Sequence, residues 1–285
     1  MKLTLESLNP FDTLMALSTA EGPRILDHFL STREELNMND KQEKLLRDIV
    51  FNAEKVRDRP VKDIFTGDYL ISITSAHTGL CTRVTRNGGE SRGKSLLSGK
   101  SAMEIAIILT DPLPELPDAV SFAMAAINSL LPVPEDALQL RAQEIILERG
   151  KGKNVAVIGH FPFVDRVGSE FRNLWVLENR PIPGDLPAEA AGELLPQADV
   201  VAMTATTLLN GTCADLLGYI PKKSFTIMLG PSTPFAPCLF DWGIDALAGS
   251  RVKDNTLVTL SMMEGLPRRQ LKGIDPLVWI AERDN

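Results

Sequence analysis

The chain has 285 residues, 44% of them hydrophobic, and a formal net charge of −7 at pH 7. That composition supports a large core, and the length favours two domains. The acidic balance argues against a nucleic-acid or membrane-surface partner recruited by a basic field.

Residues 10–56 read as helical, with apolar positions such as Leu14, Leu17, Ile25, Phe29, Leu45, Leu46, Ile49 and Val50. Residues 68–74 and 78–85 alternate like antiparallel strands, and Asn87-Gly88-Gly89 closes them with a turn. Residues 102–109 read as a buried helix. The run from Asp111 to Pro117 holds three prolines, which cannot sit inside regular structure, and so marks a domain boundary. The division is 1–110 and 111–285. Two helices, 118–131 and 135–148, open the second part. Residues 119–133 are the most apolar stretch but are too short and too polar to span a bilayer.

From Gly150 on, strand and helix patterns alternate. Strand-like runs are 155–158, 174–177, 200–204, 225–229 and, weakly, 246–248; helical stretches include 188–195, 208–217 and 256–263. Continuous apolar strands separated by helices predict a parallel sheet covered on both faces. Ligands of such sheets collect at the carboxyl ends of the strands. The segments there are 159–163, 178–185, 204–212 and 230–237.

The most informative stretch is 154–178. An apolar strand ends in Gly159, a loop with His160, Phe161 and Pro162 follows, and a second apolar run stops at Glu178. A glycine after the first strand lets backbone amides face an anion, and an acid about twenty residues on stands where a ribose hydroxyl is held. The bulky His160, Phe161 and Phe163 depart from the usual glycine-rich loop. His160 is the candidate catalytic group, able to act as acid or base, to donate to an anion or to bind a metal. Glu178 reads either as a ribose acid or as a solvated strand-end acid.

Thr206 and Thr207 lead into a helix and offer hydroxyls; either is a reasonable N-cap. Gly230, Ser232 and Thr233 offer amides and hydroxyls after the fourth strand, and Asn128 is a further candidate, reaching the same cleft from its helix. Residues 88–95 match G-x-x-x-x-G-K-[ST] literally, but the preceding strand reads as antiparallel, against a phosphate loop. Arg83, Arg86, Arg92, Lys94 and Lys100 make a local basic patch. His28, His77 and His160 have no metal-ligand spacing. Cys81, Cys213 and Cys238 are widely spaced with no C-x-x-C, and no secretory signal is visible; both predict a cytoplasmic protein with buried cysteines.

Several segments together resemble a bacterial and archaeal family of uncharacterised proteins described as proposed heavy-metal chelators. They are Ala125–Asn128, Val157–Pro162, Val176–Glu178 with Pro183–Asp185, Leu229–Pro234 with Ala236-Pro237, and Val252–Asn255. The resemblance implies an α/β fold, a Rossmann-like parallel-sheet domain preceded by a smaller α+β domain like the N-terminal domain of enolase. It also implies a site in an interdomain cleft and adds Lys253 and Asp254 to the ligand-binding candidates. The function expected is binding or processing of a small anionic or metal-chelating ligand. The alternative is an enzyme using NAD or S-adenosylmethionine. A divalent metal ion or a nucleotide-type cofactor suits one reading each, and the sequence leaves a homo-oligomer open.

Overall fold

The computed structural model describes residues 40–84 and 92–282 of the chain. The helix expected over 10–39 and the Asn87-Gly88-Gly89 turn lie outside the described residues. Helix α1, Asp40–Glu54, buries Leu45, Leu46, Ile49 and Val50 along one stripe. Three short strands follow, β1 (Asp63–Thr66), β2 (Leu70–Thr74) and β3 (Thr78–Thr82), pairing antiparallel in the order β1-β2-β3. Strand β1 is an addition to the sequence reading, which had no pattern to see in four residues at a sheet edge. Two five-residue helices, α2 (Arg92–Leu96) and α3 (Ala102–Ala106), lead to α4, Ala119–Leu130.

Ten of the twelve residues of α4 are buried, which explains a stretch apolar on all sides: the helix is packed between α3 and the small sheet. The approach to β3 is backbone to backbone. A Cβ placed on Gly79 would stand 2.1 Å from the carbonyl oxygen of Ala125, so no larger residue fits.

After α5 (Ala142–Gly150) the chain builds a seven-stranded sheet. Its strands are β4 (Asn154–Ile158), β5 (Asn173–Glu178), β6 (Leu186–Pro187), β7 (Val200–Thr204), β8 (Phe225–Leu229), β9 (Ala246–Val252) and β10 (Ile274–Ile280). The order is β10-β9-β8-β7-β4-β5-β6, parallel throughout except for the β9–β10 pair. Short helices α6 (Val164–Val167), α7 (Ala191–Leu194), α8 (Thr206–Leu209), α9 (Cys213–Tyr219) and α10 (Cys238–Asp241) and the longer α11 (Asn255–Met263) make the crossovers. Central strands are buried on both faces, as Val155, Ala156 and Val157, each with no exposed surface, illustrate. The fold class is therefore the one expected: mixed α/β, with a large mostly parallel sheet and a smaller antiparallel one. Residues Lys41–Asn285 make up one unit by their contacts. No helix among the described residues is long and apolar enough to cross a membrane.

Other elements depart from the pattern reading. Of the expected helix 135–148 only residues 142–148 are helical, within Ala142–Gly150; Leu138 instead pairs through its N–H and C=O with Val278 on β10. Strand β10 contains Pro276, which the edge of a sheet tolerates and which hides a strand from inspection. Residues 88–91 of the phosphate-loop match lie outside the described residues, and the described surroundings do not favour it. Among the described residues strand β3 pairs only with β2, and Gly93 is backed against the ring of Phe122, which a Cβ would meet at 2.4 Å. The basic patch is also reduced: Arg83 is buried on Asp118 at 2.8 Å and Lys94 pairs with Asp63 at 3.1 Å.

Candidate functional site

Strand β4 pairs with β5 on one side and β7 on the other. The chain runs outward from β4 to β6, then returns to build the opposite half from β7. At that switch the loops after β4 and β7 leave in opposite directions and open a mouth, where sheets of this type hold ligands.

Gly159 begins the first loop. Its N–H donates to Leu177 O at 2.8 Å, and its φ of +93° is in the left-handed region. A Cβ there would also press on Thr204 Cγ2 at 3.1 Å, so both conformation and space call for glycine. His160 follows. Its backbone N–H donates to Glu178 Oε2 at 3.0 Å, while Glu178 Oε1 accepts from the amides of Asn179 (2.9 Å) and Arg180 (3.3 Å). One carboxylate thus fastens two strand-end loops together. Glu178 is a brace under His160, with three amides on the oxygens that a ribose hydroxyl would otherwise use.

The imidazole is held as firmly. His160 Nδ1 lies 2.9 Å from Asp185 Oδ1 and 3.2 Å from Oδ2, and Asp185 Oδ2 also accepts the Ile182 amide at 3.2 Å. The Asp185 side chain is 3% exposed and that of His160 26%. A carboxylate can only accept, so in the neutral imidazole it assigns the ring proton to Nδ1 and leaves the Nε2 lone pair available. Nε2 has no hydrogen-bond partner among the described residues. Asp185 is absent from the candidates read from sequence by role; the turn that presents it, with Gly184 at φ +103°, was the available signal.

Across the mouth, Thr204 Oγ1 and Thr206 Oγ1 share a hydrogen bond of 3.0 Å. Thr207 is buried and donates its hydroxyl to Thr204 O at 2.8 Å. Neither Thr206 nor Thr207 is the N-cap of α8; Ala205 takes that position, with no side-chain cap. Gly230, at φ +126°, opens the next loop. Ser232 is fully buried, and its Oγ accepts the Thr82 N–H at 2.9 Å and the Cys81 thiol at 3.3 Å. Thr233 is 4% exposed. Asn128 belongs to the same junction, its Nδ2 donating to Leu80 O (2.9 Å) and Pro231 O (3.4 Å).

The remaining candidates scatter. Half-buried Phe161 stacks on Phe163 with 5.8 Å between centroids, while Pro162 is exposed. Asp254 caps α11, accepting the Leu257 N–H at 3.0 Å. Lys253 reaches Asp275 on β10 at 3.5 Å. The structure thus brings Gly159, His160, Glu178 and Thr206 to the switch, with Asp185 and Thr204 as partners the sequence did not single out.

A heavy metal held by the protein alone needs several donors, thiolates above all. Among the described residues no group of three or more His, Cys, Asp or Glu side chains is placed to hold a metal ion. Cys81 and Cys213 have no exposed surface, and burial pushes both thiols up to about 12; Cys238 is raised to about 12 by burial and by Asp48 and Asp241. The donor set does not fit a resident soft metal.

Residues 141–275 match the model of DUF364, a family described as "Putative heavy-metal chelation". This region of the chain is similar to the DUF364 family. It is 32% identical over 119 residues to the uncharacterized protein MJ0500 of Methanocaldococcus jannaschii, an alignment covering 40% of this chain and 46% of that one. The chain therefore spans about half the length of that curated relative. Two solved DUF364 structures of unknown function share the fold. The one from Desulfitobacterium hafniense DCB-2 has a TM-score of 0.71, 22% identity, and coverage of 84% of this chain and 98% of that chain. The one from Pyrococcus horikoshii has a TM-score of 0.67, 19% identity, and coverage of 83% and 100%. At these identities the likeness concerns fold alone. The DUF364 match includes the His160, Glu178, Asp185 and Thr204 loops.

Proposed function

We propose that this protein, similar over residues 141–275 to the DUF364 family, binds or processes a small anionic or metal-chelating ligand in the mouth between the β4 and β7 loops, where the cleft between the two parts of the chain opens. The observation that carries the reading is the His160–Asp185 pair. A buried carboxylate fixes one imidazole nitrogen and leaves the other to a ligand, the arrangement used both by metal-bound and by acid–base histidines. Because the protein supplies one such donor and no cluster, a metal here arrives as cargo, with its other ligands on the small molecule. The Thr204 and Thr206 hydroxyls and the Gly159 turn supply the neutral contacts.

Nucleotide-cofactor binding is supported by the strand order β6-β5-β4-β7-β8-β9, the dinucleotide arrangement. Glu178→Ala does not separate the two readings, since it would release the His160 loop under either. Thermal denaturation of the full chain with zinc alone, citrate, zinc citrate, NAD and S-adenosylmethionine does, with His160→Ala and Asp185→Asn alongside. A ligand at a hundred times its Kd stabilises by about 2.7 kcal/mol. We expect a shift with citrate or zinc citrate that His160→Ala abolishes and Asp185→Asn weakens about tenfold. A shift with nucleotide alone, unchanged in His160→Ala, would replace this reading with the cofactor enzyme.

A further inference from the structure

Two concavities of about 550 and 450 Å³ lie side by side where α1 meets the segment after β8. They share Asn52, Lys55, Cys238 and Asp241 and so form one trough with two ends. Each volume is that of an ordinary small-molecule site, roughly 300–1,000 Å³. No lining residue comes from the loops after β4, β5 or β7, so the trough is separate from the His160 mouth.

The ends differ in chemistry. One is apolar, walled by Leu131, Pro132, Pro134, Phe235 and Trp279. The Trp279 indole N–H already donates to Asp136 at 2.9 Å, so the ring offers the trough packing and no unfilled donor. The other end is charged, but part of that charge is internally balanced. Asp48 Oδ2 takes Lys44 Nζ at 3.0 Å and the Trp242 indole N–H at 2.9 Å.

The shared wall keeps what is left. Lys55 lies over the Phe51 ring at 4.5 Å, and neither Lys55 nor Asp241 has an oppositely charged side chain within ion-pair distance among the described residues. The Cys238 thiol lines the same wall, and burial and the neighbouring carboxylates keep it protonated. It is a packing group, and the chemistry is binding without a covalent step. One cation and one anion, both at the solvent face and without an oppositely charged side-chain partner among the described residues, stand beside an apolar pocket and complement a zwitterion with a hydrocarbon body.

We propose that this trough is a second ligand site and that it takes an apolar α-amino acid. The ligand's carboxylate faces Lys55, its ammonium faces Asp241, and its side chain lies against Pro132, Phe235 and Trp279. Electrostatic complementarity of this kind sets which ligand is accepted more than how tightly it binds.

The test is isothermal titration of the full chain with L-phenylalanine, N-acetyl-L-phenylalanine and L-phenylalaninamide, with indole fluorescence as a second readout. Free phenylalanine is expected to bind about tenfold more tightly than either blocked analogue, each of which leaves one charge unanswered. Asp241→Asn should erase the preference over the N-acetyl compound, and Lys55→Met the preference over the amide. Both positions are exposed, so both variants should fold as the parent does. His160→Ala should bind phenylalanine unchanged, which separates failure here from failure at the mouth. No heat and no fluorescence change at millimolar phenylalanine would overturn the proposal, as would blocked analogues that bind as well as the free acid.

Discussion

The loops after β4 and β8 leave the same end of the sheet on either side of β7, and both open on a glycine with positive φ. They use their polar groups in opposite ways. After β8, Ser232 is buried and spends its hydroxyl on the Thr82 amide and the Cys81 thiol, tying the loop to the small sheet. After β4, the backbone amide of His160 is spent on Glu178 and Nδ1 on Asp185, yet Nε2 keeps its lone pair. A hydroxyl at a strand end therefore says little about function by itself. What separates a joint from a site is whether a positioned group still has capacity after the protein has used it.

The joint should break with stability and the mouth with binding. The largest effect is expected from Arg83→Met. Arg83 and Asp118 form a 2.8 Å ion pair with side chains 9% and 2% exposed, where the left-handed Asp118 starts α4. Removing one partner of a buried pair strands the other charge, at a cost of about 3–5 kcal/mol. Urea denaturation should show that loss, and Arg83→Met with Asp118→Asn should recover part of it. A single variant as stable as the parent would show that water already reaches the pair.

Next comes Ser232→Ala. It orphans the Thr82 N–H at the end of β3, at about 1–3 kcal/mol. The urea midpoint should fall while citrate or zinc citrate binds as before. Weaker binding with an unchanged midpoint would move Ser232 from the joint into the site and erase the contrast between the loops.

Strands β4, β5, β7 and β8 were legible to within a residue because each is a short apolar run bounded by turns. The loops they aim at followed from parallel topology, and with them the place of His160. Strand β9 was read for three of its seven residues, since Ser250 and Arg251 extend it along a half-exposed edge. The failures at the site have one physical cause. Sequence shows which residues can donate or accept, but not which have already found partners. Glu178 looked like a ribose acid from its spacing alone, which does not show that the His160 amide 18 residues upstream already occupies it, and the Ser232 partner is 150 residues away. Asp185 entered the sequence reading only within the Pro183–Asp185 segment of the family resemblance; only the fold sets it 2.9 Å from a ring 25 residues upstream.

The smallest effect is expected from Lys253→Ala, and it tests how far the mouth extends. The backbone of Lys253 is held by its N–H on Gly273 O at 2.8 Å, which alanine keeps. Its side chain is 60% exposed and reaches Asp275 at 3.5 Å. The Asp275 carboxyl lies below the usual range chiefly through the Arg251 hydrogen bond and only secondarily through Lys253. A depressed folded-state carboxyl adds stability above its unfolded pKa and loses it as pH falls through the folded value. With Arg251 retained, Lys253→Ala should leave that acid limb nearly in place and the neutral-pH urea midpoint unmoved, as for most exposed ion pairs. Binding should also be unchanged if Lys253 serves only β10. If instead the midpoint holds while citrate binds about tenfold more weakly, Asp275 is a resting place. Lys253 then belongs to the ligand, and the mouth runs along the strand ends to β9, past the loop that Ser232 closes.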